Sequence, residues 1–211
     1  MQGAGSVLPQ LVRDYVIPVV RTRETALARR AVEWLAAAGF RTFEITMTVP
    51  DAVALIAEAS AGGLLVGAGT VTDAATARRC IEAGARFVVS PAVVPEVAAA
   101  CREKAALSML GALTPTEVIA AVRAGADVVK IFPASSVGGP AHVKALRSVF
   151  PDVPLVPTGG ISADEIAAYR AAGAACVGLG GKLVDEKALA ANDRAAIDAV
   201  ARRIRHEFLS E

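Results

Sequence analysis

The stretch Ala126-Asp127-Val128-Val129-Lys130-Ile131-Phe132-Pro133 decides how the rest of the chain is read. Val128, Val129, Ile131 and Phe132 form an apolar run with no turn residue inside it, opened by Asp127 and closed by Pro133. A short, bounded, β-branched run of this kind is a strand buried on both faces, as in a parallel sheet. Lys130 sits in its middle. An ammonium group out of water is costly unless it is paired or gives up its proton. A neutral amine is a nucleophile that can form a Schiff base with a carbonyl. Taken alone, the stretch also admits a lysine that snorkels to the strand end or pairs with a carboxylate.

On both sides of this run, short β-branched segments alternate with alanine-rich amphipathic ones. The strands before it are expected at Val16–Val20, Arg41–Ile45, Leu64–Gly67, Phe87–Ser90 and Leu107–Leu110, and those after it at Val153–Val156 and Ala175–Leu179. Between them the patterning predicts helices over Glu24–Ala38, Asp51–Ala61, Asp73–Ala83, Pro95–Lys104 and Pro115–Ala124. Further helices are expected over Ala141–Phe150, after a Gly138-Gly139-Pro140 breaker, over Ala163–Ala172 and over Asn192–Phe208. Alternation of this kind with short connections predicts the α/β class and a single (β/α)8 TIM barrel. It occupies residues 1–211 as one domain, with an extra N-terminal helix over Val7–Asp14. A doubly wound open sheet is the competing arrangement. Ala-Gly-Phe-Arg, Ala-Gly-Ala-Arg, Ala-Gly-Ala-Asp and Ala-Gly-Ala-Ala recur where a helix gives way to a strand, and glycine suits the left-handed turn needed there.

Composition narrows the function. The chain is 54% hydrophobic, yet no apolar run reaches the ~18 residues of a membrane helix. Met1-Gln-Gly-Ala-Gly-Ser-Val-Leu-Pro9 lacks a basic region followed by an apolar core, so no signal peptide is expected. Net charge is +1 and no basic block is interleaved with aromatics, which argues against nucleic-acid binding. Cys80, Cys101 and Cys176 are far apart and odd in number, so the expectation is buried free thiols in a reducing cytoplasm, not a structural zinc site. His142 and His206 fall in helix-like contexts and make poor catalytic candidates.

Barrel enzymes place their chemistry at the C-terminal ends of the strands. Those positions hold Arg21, Glu44, Thr46, Thr48, Gly67-Ala-Gly-Thr70, Ser90-Pro91, Lys130, Thr158-Gly-Gly160 and Gly178-Leu-Gly-Gly181. Glu44 lies between Phe43 and Ile45, and alternation turns it inward with Thr42 and Thr46. It could pair with Lys130 and exchange protons with a substrate, or form a plain buried ion pair. Glycine turns after the seventh and eighth strands let the backbone approach an anion, although tight turns alone would also need them. Gly67-Ala-Gly-Thr-Val71 has neither the length nor the lysine of a P-loop.

Phe43-Glu-Ile-Thr46, Gly67-Ala-Gly-Thr-Val71, Ser90-Pro91, Val129-Lys-Ile-Phe-Pro133 and Pro157-Thr-Gly-Gly-Ile161, in that order and spacing, resemble the 2-keto-3-deoxy-6-phosphogluconate (KDPG) aldolases. That family also includes 4-hydroxy-2-oxoglutarate aldolases. The resemblance runs from about Val16 to Val184. It implies a class I aldolase needing no metal or other cofactor, built as a homotrimeric barrel and acting on a small 2-keto acid, cleaving KDPG to pyruvate and glyceraldehyde 3-phosphate, with 4-hydroxy-2-oxoglutarate to pyruvate and glyoxylate as a further reaction. Lys130 matches the Schiff-base lysine and Glu44 the general acid/base. Substrate contacts are implied at Thr48, Thr70, Pro91, Phe132 and Thr158, and phosphate contacts at Gly159, Gly160, Gly180 and Gly181.

The chain also departs from the family pattern. Thr48 stands where many members have an arginine that holds the pyruvate carboxylate. A branch sharing the Glu-Ile-Thr-x-Thr-Val-Pro form carries an arginine at the end of the first strand instead, where Arg21 stands. Lys182 replaces an aromatic residue, Gly181 replaces a serine, and Leu110 replaces a proline. These leave the substrate open among KDPG, its galactonate epimer and 4-hydroxy-2-oxoglutarate. A ribulose-phosphate epimerase, which in its usual form needs metal-binding histidines and acids, and a catalytically silent trimeric barrel are the rival readings.

Overall fold

The computed structural model describes residues 7–208; the leader reading falls mainly on residues 1–6, outside the described residues. Eight parallel strands alternate with helices along the chain. The order is α1 (Val7–Asp14), β1 (Val16–Val20), α2 (Thr25–Ala37), β2 (Thr42–Thr46), α3 (Ala52–Ala61), β3 (Leu65–Gly69), α4 (Ala74–Glu82), β4 (Phe87–Val89), α5 (Pro95–Glu103) and β5 (Leu107–Ala112). It continues with α6 (Pro115–Arg123), β6 (Val128–Ile131), α7 (Gly139–Val149), β7 (Leu155–Pro157), α8 (Ile166–Ala171), β8 (Val177–Leu179), α9 (Glu186–Ala190) and α10 (Arg194–Phe208).

From β1 to β7 each strand pairs with the next in sequence, and β8 returns to β1 through Val16↔Val177 and Pro18↔Leu179. The remaining seam, between β7 and β8, is held by the Thr158↔Gly178 bridge and by the Ala175 N–H donating to Leu155 O at 2.9 Å. The sheet is therefore a (β/α)8 barrel, not an open sheet.

The recurrent Ala-Gly pairs do the work expected of them. Gly39, Gly84, Gly125 and Gly173 all have positive φ. At each, the glycine N–H and the next N–H turn back onto the helix, as in Gly39 to Ala36 O and Phe40 to Leu35 O, at 2.9 and 3.0 Å. This pairing satisfies carbonyls that the helix end leaves without partners and aims the chain into the next strand. Helix starts are equally local in origin. Asp73 accepts from the Thr76 N–H at 2.7 Å, and Thr114 and Glu117 form a reciprocal capping box.

Several boundaries differ from the expectation by one to three residues, and two of the differences, both in helices, have a plain physical reason. Gly139 and Pro140 open α7 instead of preceding it, because proline in a first turn forfeits no helical hydrogen bond. The last helix begins at Arg194, and a separate five-residue α9 precedes it. Asp185 caps α9, while Asn192 at φ 56° ends it, with Asn192 and Asp193 donating back to Leu189 O and Ala188 O. Among the described residues, no helix is long and apolar enough to cross a membrane.

Cys80, Cys101 and Cys176 are buried free thiols. Burial pushes the Cys80 thiol up to about 11 and the Cys101 thiol to about 12. His142 is half-buried, its Nε2 2.7 Å from Leu113 O.

The barrel interior is filled from neighbouring strands. A Cβ on Gly67 of β3 would lie 2.1 Å from the Phe87 ring of β4, so glycine there makes room for the aromatic side chain. Gly67→Ala is expected to lower stability by about 1–3 kcal/mol through overpacking, read as a lower denaturation midpoint at unchanged slope.

Candidate active site

Among the described residues, Glu44 and Lys130 are the only charged side chains that are buried, at 3% and 4% relative exposure. They come from β2 and β6, which stand on opposite walls of the closed barrel. Inward-facing side chains from opposite walls meet in the lumen, and Lys130 Nζ lies 3.7 Å from Glu44 Oε1. That is an ion-pair separation but too long for a hydrogen bond. Glu44 Oε1 accordingly has no hydrogen-bond partner among the described residues. A buried carboxylate oxygen left in this condition is unfavourable, and such atoms need an explanation in function.

The sequence folds locally to allow this meeting. Glu44 pairs in register with Gly67, and Thr46 with Gly69. A Cβ on Gly69 would lie 2.1 Å from Glu44 Oε1, so the absent side chain is what gives the carboxylate its place. On the lysine side, Nζ is 5.2 Å from the centre of the Phe132 ring. The ring in turn lies against Gly159, where an added Cβ would approach it to 3.1 Å.

Above the pair opens a cleft of about 940 Å³ at the C-terminal ends of the strands. Lys130, Arg21, Phe132, Thr158, Gly159, Gly160, Gly180 and Gly181 all line it. Thr70 joins through Arg21, whose Nη2 donates to Thr70 Oγ1 at 3.0 Å. Glu44 meets the cleft through Lys130 and is not itself in the lining. Two further candidates stand apart: Thr48 is exposed and bonded to the Thr46 hydroxyl at 2.7 Å, and Pro91 is half-buried with its carbonyl against Gly111. A smaller cleft of about 150 Å³, near Asp14, Phe40 and Arg41 at the opposite end of the barrel, holds none of these residues.

The cleft also has members that the strand-end reading missed. Arg23, Glu24 and Leu27 follow β1, and Asp185, Glu186 and Lys187 lie on or before α9; Lys182, already singled out in the sequence as standing where relatives have an aromatic residue, lines the cleft beside them. The acids among these last are already engaged: Asp185 accepts from the Lys187 N–H at 2.8 Å, and Glu186 accepts from the Arg23 N–H at 3.0 Å. By contrast, the N–H groups of Gly159, Gly160, Gly181 and Lys182 donate no hydrogen bond within the described residues. Gly159 and Gly160 have positive φ, which turns the backbone sharply beside the cleft. Arg21, Arg23, Lys130, Lys182 and Lys187 outnumber Glu24, Asp185 and Glu186 in the lining, which suits a small molecule carrying negative charge. A helix capping signal, Asp185 before Glu-Lys-Ala-Leu-Ala, could have pointed to α9.

Chemically, the site offers an amine that lines the cleft and, 3.7 Å from it, a buried carboxylate able to transfer protons. Among the described residues, no group of three or more His, Cys, Asp or Glu is arranged to hold a metal ion.

The family profile described as "Aldolase: KDPG and KHG aldolase" matches residues 8–200. A Rhizobium meliloti (strain 1021) protein named "Probable 2-dehydro-3-deoxy-6-phosphogalactonate aldolase" is 38% identical over 180 residues, covering 83% of this chain and 84% of its own. The "2-dehydro-3-deoxy-phosphogluconate aldolase" of Treponema pallidum is 34% identical over 201 residues, covering 94% and 95%. A crystal structure of KDPG aldolase from Legionella pneumophila, with pyruvate captured at low pH as a covalent carbinolamine intermediate, is 29% identical and superposes with a TM-score of 0.81. That superposition covers 93% of this chain and 97% of the other.

Proposed function

Since the chain belongs to the KDPG and KHG aldolase family and is thus a carbon–carbon lyase, we propose that it cleaves KDPG to pyruvate and glyceraldehyde 3-phosphate through a Schiff base on Lys130. The observation that carries this reading is the buried 3.7 Å contact between Glu44 Oε1 and the Nζ of Lys130, which lines the cleft.

Lys130, as the amine, attacks the C2 ketone and gives a carbinolamine, the species captured in the Legionella relative. Glu44 delivers a proton to the departing hydroxyl, which leaves as water, and a protonated imine remains. The imine cation is the electron sink, so neither a metal nor an organic cofactor is called for. Glu44, through a water, takes the C4 hydroxyl proton; the C3–C4 bond breaks and its electrons pass into the imine as an enamine. The aldehyde departs, C3 gains a proton, and hydrolysis frees pyruvate and Lys130. Phe132 packs beside the amine and excludes water from it. Arg21 pairs with the keto-acid carboxylate, a group that guanidinium binds bidentately. Thr158 and the free N–H groups of Gly159, Gly160 and Gly181 orient the hydroxyls and the phosphate tail.

The galactonate epimer is the second reading, supported by the Rhizobium relative; 4-hydroxy-2-oxoglutarate is a third substrate within reach of the same cleft. Side-by-side cleavage assays of the three compounds decide among them. A homotrimer is part of the proposal, and Ile119 and Val122, exposed one turn apart on α6, offer an apolar contact for it; light scattering tests the mass. Borohydride reduction in the presence of pyruvate should add one reduced pyruvate to Lys130, located by peptide mass. A label absent, or found on another lysine, overturns the mechanism. Arg21→Ala is expected to raise KM for the keto acid about tenfold, as befits one lost charge-assisted contact, and an unchanged KM removes Arg21 from the site.

A further inference from the structure

Thr70 follows β3 with φ 59°, a left-handed conformation that β-branched residues seldom adopt. Its Oγ1 accepts the 3.0 Å hydrogen bond from Arg21 Nη2. Register fixes what this bond spans: Val20 pairs with Ile45, and Ile45 with Ala68. Arg21 thus leaves the end of β1, and its guanidinium crosses the end of β2, the strand of Glu44, to reach the residue just past β3. A guanidinium exposed to solvent on a long side chain has many rotamers, and ordering it opposes binding. One anchored nitrogen removes much of that freedom while leaving the other N–H groups able to meet a carboxylate. An unfavourable backbone conformation kept where its side chain holds a cleft-lining arginine points to a task for that side chain.

We infer that Thr70 is a positioning residue for Arg21: its left-handed backbone aims the hydroxyl so that the guanidinium is held ready for the keto-acid carboxylate. The inference rests on the reading of Arg21 given above. It differs from the family resemblance, which makes Thr70 a substrate contact in its own right. Gly69 and Thr70 together then set both polar ends of the reacting unit. Gly69 leaves space for the Glu44 carboxylate, and Thr70 steadies the carboxylate-binding arginine.

The test is a double-mutant cycle read by NMR as exchange of the pyruvate methyl protons in D2O, a reaction that requires the enamine but not the full substrate. Thr70→Val and Arg21→Ala are each expected to raise the pyruvate concentration for half-maximal exchange about tenfold, with the loss falling there and not on the maximal rate. The double variant should sit within about twofold of Arg21→Ala, because a residue acting through Arg21 has nothing left to act on. Thr70→Ser keeps the hydroxyl and should restore exchange to within about twofold of the unaltered protein. Thr70→Gly relieves the backbone, and so should fold at least as well while showing the same loss of pyruvate affinity. Effects of Thr70→Val and Arg21→Ala that multiply in the double variant would make Thr70 a direct contact and overturn the inference. So would an unchanged half-saturating concentration in Thr70→Val or Thr70→Gly. No exchange in the unaltered protein would defeat the Schiff-base reading itself, and this inference with it.

Discussion

Replacing Lys130 with methionine is expected to abolish borohydride labelling by pyruvate and to lower aldol cleavage at least about 10⁴-fold, since among the described residues Lys130 is the buried lysine beside Glu44, whereas Lys182 and Lys187 of the same cleft are exposed. The same change has a thermodynamic consequence that a surface lysine would not show. Glu44 Oε1 has no hydrogen-bond partner among the described residues, so Lys130 is its nearest compensation. Removing one member of a buried pair leaves an uncompensated charge, which typically costs about 3–5 kcal/mol. Removing both can restore stability, because two desolvation penalties vanish together. Lys130→Met should therefore unfold at lower denaturant than the unaltered protein. The double variant Lys130→Met, Glu44→Leu should recover most of that loss while remaining inert. A Lys130→Met protein that loses no stability, with no recovery in the double variant, would mean that the two groups are not coupled in the folded protein.

Gly69→Ala carries the second large effect, and it acts on rate. An added Cβ would lie 2.1 Å from Glu44 Oε1 and 2.7 Å from its Cδ and Cγ. Gly69 does not have a positive φ, so alanine suits the backbone and the conflict falls on the carboxylate. Displacing a proton-transfer group by about 1 Å can cost on the order of 10²-fold, and a kcat loss of that size is expected. The change should be non-additive with Glu44→Ala, because a carboxylate already removed cannot be displaced. Gly67→Ala, two residues earlier on the same strand, meets Phe87 instead, and its effect should appear in stability. If Gly69→Ala keeps full kcat, the carboxylate has another productive position and the steric argument fails.

Much of the architecture was legible in the chain because its determinants are local. The Ala-Gly pairs mark helix ends through a left-handed turn, and β-branched runs bounded by them mark strands. Lys130 and Glu44 stood out for a related reason: a charged residue inside a buried strand conflicts with its surroundings, and that conflict is visible without coordinates. The segment before α10 was harder to read. Five residues make too short a periodic pattern to identify a helix, so α9 and its contribution of Glu186 and Lys187 to the cleft went unseen. Thr48 and Pro91 show the converse limit, since both follow strands at the correct end of the barrel yet neither lines the cleft. Position along a strand gives height in a barrel; side-chain direction past the strand end depends on the loop.

By itself, then, the sequence determined the strand–helix alternation, the barrel class and the chemical oddity of one lysine and one glutamate among apolar neighbours, all of them products of short-range patterning and burial cost. Tertiary structure alone decided that β2 and β6 face each other across the lumen and bring Nζ to 3.7 Å from Oε1. It also decided that Gly69 makes room for that carboxylate and that Thr70 reaches Arg21 across an intervening strand. Those contacts depend on barrel closure and strand register, which set distances between residues far apart in the chain and leave no periodic trace in it.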